Sequence, residues 1–520
     1  MNIVTAYIIS FVSSFCILVI EIVAGRILAP FVGVSLYTWT SIIGVVLTGI
    51  SIGAYLGGKL ADRFPGRKTL GWLLLVSGIA TLLISPVTNL AAGYHFPTTL
   101  MLRILIVTAI TFFFPSCILG MISPVVVKLA VQNLDKVGNV VGKIYAVSTL
   151  GSIIGTFAAG FLLISWMGTR HIILTMGCIL ILTAISLGSL FRTRKPAIAF
   201  LMVPSFLLMG LYDLAFKPQL TADTYYYKES DYYTLKLKKA MSKDGKTPLK
   251  ALILDNLVHS YVNIENPLHI EYQYEKIYAE VLKWRFEKDA PFRSLTIGGG
   301  GYTFPRYMEA YYPDAYLDVV EIDPEVTKIV YEHLGLPGNT RIHSYNEDGR
   351  LFVMNCQARC DKYDVIFADA YNDLSIPYHL TTKEFAQQIK NIMNPGGILL
   401  TNIIDNFQKG SFLPSYIKTL REVFGDRNVH LISISPQFEK IGISTFIVLA
   451  GNDELRIKDF ESHLKNTAEG EITSAVLPEN ILDSFMSKNY SVVLRDDYAP
   501  VDNLIAPVFE ERFGCSRRNR

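Results

Sequence analysis

Acidic residues are almost missing from the first 200 positions of this 520-residue chain. Only Glu21, Asp62 and Asp135 occur there, against 13 Lys and Arg, so this part carries about +10 although the whole chain carries only +2. The same part is rich in long apolar runs, and this combination excludes a single soluble domain. It predicts a membrane domain followed by a charged soluble domain. The basic excess is typical of loops beside a bilayer, so we expect no nucleic-acid binding.

Cysteine is scarce, with six residues in the chain. Cys356 and Cys360 lie close together, but no second pair and no histidine partner stands nearby, so we expect free thiols and no metal site. We also expect no cleavable signal peptide. The first apolar run is long and has no small-residue cleavage site, which is typical of an anchor.

Seven apolar segments have about the 20 residues needed to cross a bilayer. They lie near positions 4–25, 38–58, 70–92, 104–127, 143–166, 171–191 and 197–216. Small residues crowd several of them, as in "GISIGAYLGG" and "GSIIGTFAAG", which predicts closely packed helices and not a lone anchor. We therefore assign 1–216 to a multi-pass helical membrane domain.

The orientation of the bundle follows from three basic clusters, which come after the second, fourth and sixth segments. The positive-inside rule places all three, and the N-terminus, in the cytoplasm. One cluster lies in "GGKLADRFPGRK", which resembles the cytoplasmic loop motif of major facilitator transporters. If 197–216 crosses the bilayer, the soluble half lies outside, and if that segment stays in the interface, the soluble half lies inside. The sequence leaves both possibilities open.

The soluble half has two patterns. Residues 217–290 contain short alternating stretches such as "LKALILDN" and "HSYVNIE", which predict a small antiparallel β subdomain. In 291–520, strands near 294–299, 316–322, 340–346, 363–369 and 397–404 alternate with helices, which predicts a doubly wound Rossmann-like sheet. The closing pair "VHLISIS" and "ISTFIVLAG" is typical of an AdoMet-methyltransferase-like sheet, so we favour an AdoMet-type ligand over NAD.

Acidic residues follow three successive strands of this sheet. After the strand "LTI", the turn Gly298, Gly299 and Gly300 lets backbone approach a ligand closely. Glu321 ends the next strand at the spacing of a ribose-binding acid. Asp348 and Asp369 come after the following two strands, and each alone is as well explained by a helix N-cap. Because all three lie at the same edge of the sheet, together they favour a nucleoside site.

The order of the motifs resembles a known family. "ILDN", "YQYEKIYAE", "TIGGGG", "VVEID", "EDGR" and "FADAY" are similar in sequence and order to spermidine synthase and its aminopropyltransferase relatives. "IPYHLTTKEF" and "DDYAPVDNL" resemble a membrane-fused branch in which a half major-facilitator-like bundle precedes the synthase domain. The resemblance covers about 220 to 510 well and the membrane half more loosely.

The resemblance implies transfer of an aminopropyl group from decarboxylated AdoMet to putrescine or a similar amine, with release of methylthioadenosine and without a prosthetic group. It implies that Asp369 is the base that deprotonates the amine. It implies that the nucleoside is held by His259, Gly298, Gly299, Gly300, Glu321, Asp348 and Gly349. Tyr274 and Asp373 are implied to contact the amine.

Two positions depart from the family pattern. Gly301 stands where the family usually has an Asp that binds the donor's terminal amine, and Asn372 stands where it has a second Asp after strand four. Two alternatives therefore stay open: another AdoMet-dependent transferase such as a methyltransferase, and an amine transporter or sensor with a nucleoside-binding domain. We expect a homodimer in the inner cell membrane. Because AdoMet-type donors are made in the cytosol, we expect the catalytic half there.

Overall fold

The computed structural model describes residues 1–33, 35–94, 98–131, 134–188, 221–255, 257–359, 361–371, 376–434, 442–467 and 475–513. The chain divides into two compact units. The first comprises Met1–Thr221 and Glu229–Tyr233, and the second Ala222–Lys228 and Thr234–Arg520. The predicted segment 197–216 and the predicted amine-binding residue Asp373 lie outside the described residues.

The first unit is helical. Its helices are α1 (Ile3–Val32), α2 (Leu36–Arg63), α3 (Arg67–Leu82), α4 (Ile84–Gly93), α5 (Leu100–Thr108), α6 (Phe114–Ala130), α7 (Val137–Ala158), α8 (Ile164–Trp166) and α9 (Thr169–Leu187). One π-helical turn joins α5 to α6, directly before Pro115, and another joins α7 to α8. Helices therefore occupy each of the first six predicted apolar segments.

Five continuous helices of the described chain are long and apolar enough to cross a membrane. They are Ile3–Val32, Leu36–Arg63, Met101–Ala130, Val137–Trp166 and Thr169–Leu187. The pair α3 and α4 is bent by 46° at its break and counts as a sixth if the pair forms one span. This number of apolar helices matches the first six predicted segments.

Small residues bring these helices together, as the sequence predicts. A Cβ atom on Gly120 of α6 would lie 2.6 Å from the Ile50 carbonyl oxygen of α2, and one on Gly53 would overlap the Cys117 backbone. The same holds between α7 and α1, where a Cβ on Gly155 would lie 2.6 Å from the Phe15 carbonyl oxygen. Only glycine permits these backbone approaches, so the predicted close packing is confirmed.

The second unit begins with a four-stranded antiparallel sheet in the order β1-β2-β3-β4. Its strands are β1 (Thr224–Glu229), β2 (Thr234–Met241), β3 (Pro248–Leu254) and β4 (Leu257–Val262). Leu252 pairs with Ser260 and Ile253 with Val258, so His259 is the extra residue of a β-bulge. Bulges re-aim side chains, and this one lies beside a predicted nucleoside contact.

The remainder of the unit is built on an eight-stranded sheet in the order β12-β10-β11-β9-β8-β5-β6-β7. Its strands are β5 (Arg293–Ile297), β6 (Tyr316–Val320), β7 (Ile342–Tyr345), β8 (Tyr363–Ala368), β9 (Met393–Asn406), β10 (Val429–Ser433), β11 (Ile443–Gly451) and β12 (Ala475–Val476). Strands β5 to β9 are parallel, whereas β10 and β11 form the predicted antiparallel pair. The predicted α/β sheet and its antiparallel end are confirmed.

Helices separate the strands of this sheet. They are α10 (Gln273–Arg285), α11 (Thr303–Tyr311), α12 (Pro324–His333), α13 (Gly349–Arg359), α14 (Lys383–Asn391), α15 (Phe412–Phe424), α16 (Ile457–Thr467), α17 (Glu479–Lys488), α18 (Val501–Leu504) and α19 (Ala506–Phe513). The central strands are buried, with Leu295, Ile366 and Phe367 fully inaccessible, as expected for parallel strands covered on both faces. The strand order reverses between β5 and β8, which places a ligand crevice at their carboxyl ends.

Cys356 corrects one expectation from the sequence. This residue of α13 is buried and disulfide-bonded, so the predicted free thiol at this position is wrong. The number of residues between two cysteines does not fix the distance between their Cα atoms, which differs between helical and irregular segments. The sequence alone could therefore not reveal the bond.

Candidate functional site

The glycine turn after β5 and the acid after β6 form one hydrogen-bonded unit. The Glu321 carboxylate accepts the N–H groups of Gly299 (2.9 Å) and Gly300 (3.1 Å) through one oxygen and that of Asp323 (3.0 Å) through the other. Burial raises the pKa of Glu321, and the three amides oppose that rise. The structure thus brings the predicted turn and the predicted ribose-binding acid together, with the carboxylate bracing the turn.

Gly298 fits its position because of both its backbone angle and its surroundings. Its φ is 96°, and a Cβ atom there would overlap the Asp369 carbonyl. Its N–H donates to the Val320 carbonyl at 2.8 Å. The turn therefore lies directly against the residue that follows β8, which an L side chain at this position would prevent.

Gly301 has a physical reason for departing from the family pattern. Its N–H donates to the Ser260 hydroxyl at 2.8 Å. A Cβ atom on Gly301 would lie 2.6 Å from the Ser260 Cβ and 2.9 Å from a methyl of Val262. Strand β4 therefore occupies the volume that an Asp side chain would need.

Asp348 combines the two readings that the sequence left open. One carboxylate oxygen accepts the N–H groups of Arg350 (2.9 Å) and Leu351 (3.1 Å), so Asp348 caps α13. The other oxygen lies 2.9 Å from Nε2 of His379. A Cβ on Gly349 would lie 2.6 Å from the Ile297 side chain, so α13 begins tightly against β5. The cap thus lies at the same sheet edge as the glycine turn.

Asp369 follows β8 at the centre of this edge. Its backbone N–H donates to the Ile297 carbonyl at 2.9 Å. Its carboxylate receives hydrogen bonds from the Asn402 amide, at 2.9 Å, and from Tyr274. Burial raises the pKa of Asp369, and these two donors oppose the rise. The structure therefore brings together the predicted base and Tyr274, which was predicted to orient the amine.

Glu275 is a site residue that the sequence reading missed, although it follows the predicted Tyr274 directly. Its side chain is 5% exposed, and its Oε2 atom has no hydrogen-bond partner among the described residues. Burial first, and the Asp369 charge second, hold the pKa of Glu275 well above its ordinary value. The available signal was an acid in the first turn of a helix that buries half of its other side chains.

Asn402 is a second missed residue. It is buried in β9, one position beyond the residue that pairs with Ala368, and its amide contacts the Asp369 carboxylate. The signal was a polar residue directly after the apolar run Ile398–Leu400 and Thr401 of β9, the strand adjacent to β8. For His259, the structure shows only that it is the bulged residue of β4. Its contact with the nucleoside stays a prediction.

Aromatic and electrostatic surroundings complete the site. The Tyr274 ring is tilted by 32° against that of Tyr272, at 5.5 Å between centroids, and meets Tyr278 edge-on at 5.6 Å. No lysine or arginine of the described chain contributes to the pKa of Asp369 or of Glu275. Within the same described ranges, no group of three His, Cys, Asp or Glu is placed to hold a metal ion. The site is therefore acidic and aromatic, a combination that attracts organic cations.

Comparison with known proteins gives one family match. Residues 285–458 match the family model described as the spermine/spermidine synthase domain. A polyamine aminopropyltransferase from Vibrio vulnificus is 36% identical over 138 residues, which are 26% of this chain and 44% of the relative. A probable polyamine aminopropyl transferase from Bifidobacterium longum is 29% identical over 221 residues, 41% of this chain and 48% of the relative. The chain thus spans about half the length of these two relatives.

One relative extends across both units. Polyamine aminopropyltransferase 2 from Aquifex aeolicus is 22% identical over 473 residues, which cover 87% of this chain and 88% of the relative. Among solved structures, a probable spermidine synthase from Corynebacterium glutamicum is similar with a TM-score of 0.44 and 20% identity, over 53% of this chain and 96% of that one.

Proposed function

Because this chain carries a spermine/spermidine synthase domain at residues 285–458, we propose that it is a polyamine aminopropyltransferase. It moves an aminopropyl group from decarboxylated AdoMet to putrescine or a similar amine. The observation that carries the proposal is a pair of carboxylates without a basic partner in the described chain: Asp369, whose backbone lies against the glycine turn, and the buried Glu275, whose pKa the Asp369 charge raises. Both substrates are cations, so each supplies the charge that this site lacks.

The reaction needs a base and an orienting group, and the site offers both. The Asp369 carboxylate accepts a proton from the ammonium of the acceptor, which frees the nitrogen lone pair. That lone pair attacks the CH2 carbon bound to the donor's sulfonium sulfur. The new N–C bond forms while the C–S bond breaks, and its electron pair stays on sulfur in neutral methylthioadenosine. Tyr274, which lies close enough to Asp369 for each to shift the pKa of the other, restricts where the amine can enter.

The nucleoside contacts belong to the same proposal. His259 and the turn Gly298, Gly299 and Gly300 bind the donor, with Glu321 on the ribose hydroxyls. Asp348 and Gly349, at the start of α13, take the adenine. For the turn, Glu321, Asp348 and Gly349, support comes from their position at one sheet edge, and the hydrogen bonds of Glu321 keep its carboxylate beside the turn. His259 is proposed on the resemblance alone. Asp373, which lies outside the described residues, is proposed as an amine contact on the resemblance alone.

We also propose that the apolar helices hold the enzyme in the inner cell membrane, with the catalytic unit in the cytoplasm. The five membrane-length helices support a membrane location, and the cytosolic origin of AdoMet-type donors supports the side. We propose a homodimer, which mass photometry of the detergent-purified protein would show as twice the 58.2 kDa chain after correction for the micelle.

The test is turnover by the purified full-length protein. We would supply putrescine with decarboxylated AdoMet or with AdoMet and follow methylthioadenosine and S-adenosylhomocysteine. We expect methylthioadenosine from the decarboxylated donor, and a loss of about 10²–10⁴-fold in Asp369→Asn. Asp364→Asn is the matched control, because Asp364 lies on the same strand, where it accepts the Arg293 N–H at 2.8 Å. S-adenosylhomocysteine from AdoMet would instead establish a methyltransferase.

A further inference from the structure

Asn402 lies beside the proposed base for a reason set by strand register. Strands β8 and β9 are parallel, and Ala368 pairs with Thr401. The next residues, Asp369 directly after β8 and Asn402 within β9, therefore lie side by side at the carboxyl end of β8. Asn402 is 4% exposed, and its Nδ2 donates to the Asp369 carboxylate at 2.9 Å.

The orientation of this amide follows from its partner. A carboxylate only accepts hydrogen bonds, so the NH2 group of Asn402 must face Asp369 and its Oδ1 must face away. That Oδ1 is buried and has no hydrogen-bond partner in the described chain. The backbone of Asn402 is also held, because the Tyr371 hydroxyl donates to its carbonyl at 2.8 Å and accepts the Ile404 N–H at 2.9 Å.

A buried amide oxygen without a donor is unfavourable unless a ligand completes it. The same is true of Oε2 of Glu275 and of the hydroxyl of Tyr278, which are also buried without hydrogen-bond partners in the described part of the chain. All of these atoms can accept a hydrogen bond, and the proposed acceptor is an ammonium with three N–H donors. The site therefore needs hydrogen-bond donors, and the ammonium group of the proposed acceptor supplies them.

We propose that Asn402 is a positioning residue for the transfer. Its amide N–H fixes the Asp369 carboxylate, and its Oδ1 accepts one N–H of the attacking amine while Asp369 removes another proton. Once Asp369 has taken one proton the amine keeps two N–H groups, and the one held by Oδ1 limits the orientations into which the amine can turn its lone pair toward the donor's CH2–S bond. This inference rests on the aminopropyl transfer proposed above.

The charged and titratable groups around Asp369 determine how the loss of Asn402 would change the pH dependence of the reaction. Tyr274, Glu275 and Tyr278 face it from α10, and Tyr371 follows β8. Glu275 is the one carboxylate among these four, and none of them is basic. Removing the Asn402 donor therefore leaves Asp369 harder to ionise, because burial already raises its pKa.

The experiment compares Asn402→Leu and Asn402→Asp with wild type in kcat and kcat/KM across pH. We expect kcat to fall roughly 10- to 100-fold in Asn402→Leu, as for loss of a hydrogen bond to a charged group. We expect the acid limb of kcat/KM to move to higher pH in both variants, and further in Asn402→Asp, where a second carboxylate faces Asp369.

Asn406→Leu is the matched control. Asn406 is also buried in β9, and its amide donates to the Glu511 carboxylate at 2.6 Å, away from the proposed base. We expect it to lower Tm without moving the pH profile. If the Asn402 variants also lower Tm while their pH profiles match wild type, Asn402 is only structural and the inference is wrong.

A second measurement separates this inference from the proposed function. Calorimetry of putrescine binding in the presence of methylthioadenosine requires no turnover. We expect about 10-fold weaker putrescine binding in Asn402→Leu and unchanged binding in Asn406→Leu. Wild type that binds putrescine but forms no methylthioadenosine would overturn the proposed transfer alone. Equal putrescine affinity in wild type and Asn402→Leu would overturn the role of Asn402 alone.

Discussion

At the scale of single residues, Glu275 combines a cost in stability with a proposed benefit in binding. A buried carboxylate without a hydrogen bond to one of its oxygens destabilises the folded state. We expect Glu275→Gln to raise Tm by roughly 2–8 °C, since the neutral amide has the same size and a smaller desolvation penalty. We expect KM for putrescine to rise about 10- to 100-fold, because the charged contact is lost. Thermal melts and steady-state kinetics measure both.

The pH dependence of the same variant provides an internal control. Burial raises the pKa of Glu275 above its ordinary value of 4.5, so the wild-type protein loses stability as pH rises through the folded pKa. The Glu275→Gln variant has no carboxyl group at this position, so its stability does not fall with rising pH in this way. The difference in Tm between variant and wild type should therefore be small near pH 4 and should grow as pH rises. A Tm difference that shrinks with rising pH would contradict the assignment.

Gly301 and Ser260 form a second pair at the residue scale. We expect Gly301→Asp, which restores the family residue, to destabilise the protein by about 1–3 kcal/mol, because the new side chain overlaps Ser260. Ser260→Gly should relieve part of that overlap, so the double variant should be more stable than the two single effects predict. Urea unfolding of all four proteins gives the coupling energy. Simple additivity would exclude steric exclusion by β4 as the reason for the glycine.

At the scale of secondary-structure elements, the C-terminal segment is tied to the start of α13. The Arg350 guanidinium contacts both oxygens of Asp496, at 2.7 and 2.5 Å, and donates to the His379 carbonyl at 3.1 Å. The hydroxyl of Thr382, which caps α14, also donates to Asp496, at 2.7 Å. A distant segment thereby fixes the helix whose cap, Asp348, is proposed to bind adenine.

We expect Asp496→Asn to lower Tm by a few degrees and to weaken methylthioadenosine binding about 2- to 5-fold, because α13 loses this restraint. The hydrogen bond and charge of Arg350 lower the pKa of Asp496. Its contribution to stability is therefore present above its ordinary pKa and is lost as pH falls through the lower, folded value. Calorimetric melts at pH 7 and at a pH below 3.8, the ordinary pKa of Asp496, and methylthioadenosine titrations at pH 7 check both effects. Unchanged nucleoside affinity at pH 7 would separate this network from the site.

Sequence patterns predicted those elements whose physics is local. The strands at 294–299 and 363–369 are apolar runs that bury both faces, and the glycine turn follows a strand directly. The sequence therefore predicts the strands and the turn. The network of Arg350 with Asp496 was not, because contacts between residues 146 positions apart depend on the completed fold. Asn402 was missed for the same reason: its role arises from register between neighbouring strands, which the sequence of one strand does not encode.

At the scale of the whole molecule, the side of the membrane occupied by the catalytic unit is the main question. Its proposed donor is made in the cytosol, and the positive-inside rule predicts a cytoplasmic location for the basic loops after the second and fourth apolar segments. The disulfide bond of Cys356 favours the opposite side, because such bonds persist in oxidising compartments. The two placements differ in whether 197–216 crosses the bilayer.

Two single cysteine substitutions distinguish these placements. Lys68→Cys lies at an exposed position in the first turn of α3, within the basic cluster, and Lys246→Cys lies in the exposed turn between β2 and β3, so each reports on one unit. We expect a membrane-impermeant maleimide to label neither variant in intact cells and both after permeabilisation. Labelling of Lys246→Cys alone in intact cells would place the catalytic unit outside, establish 197–216 as a span and make the Cys356 disulfide stable where it lies. An enzyme on that side would need an exported donor, so this outcome would also return the membrane helices to consideration as a transporter.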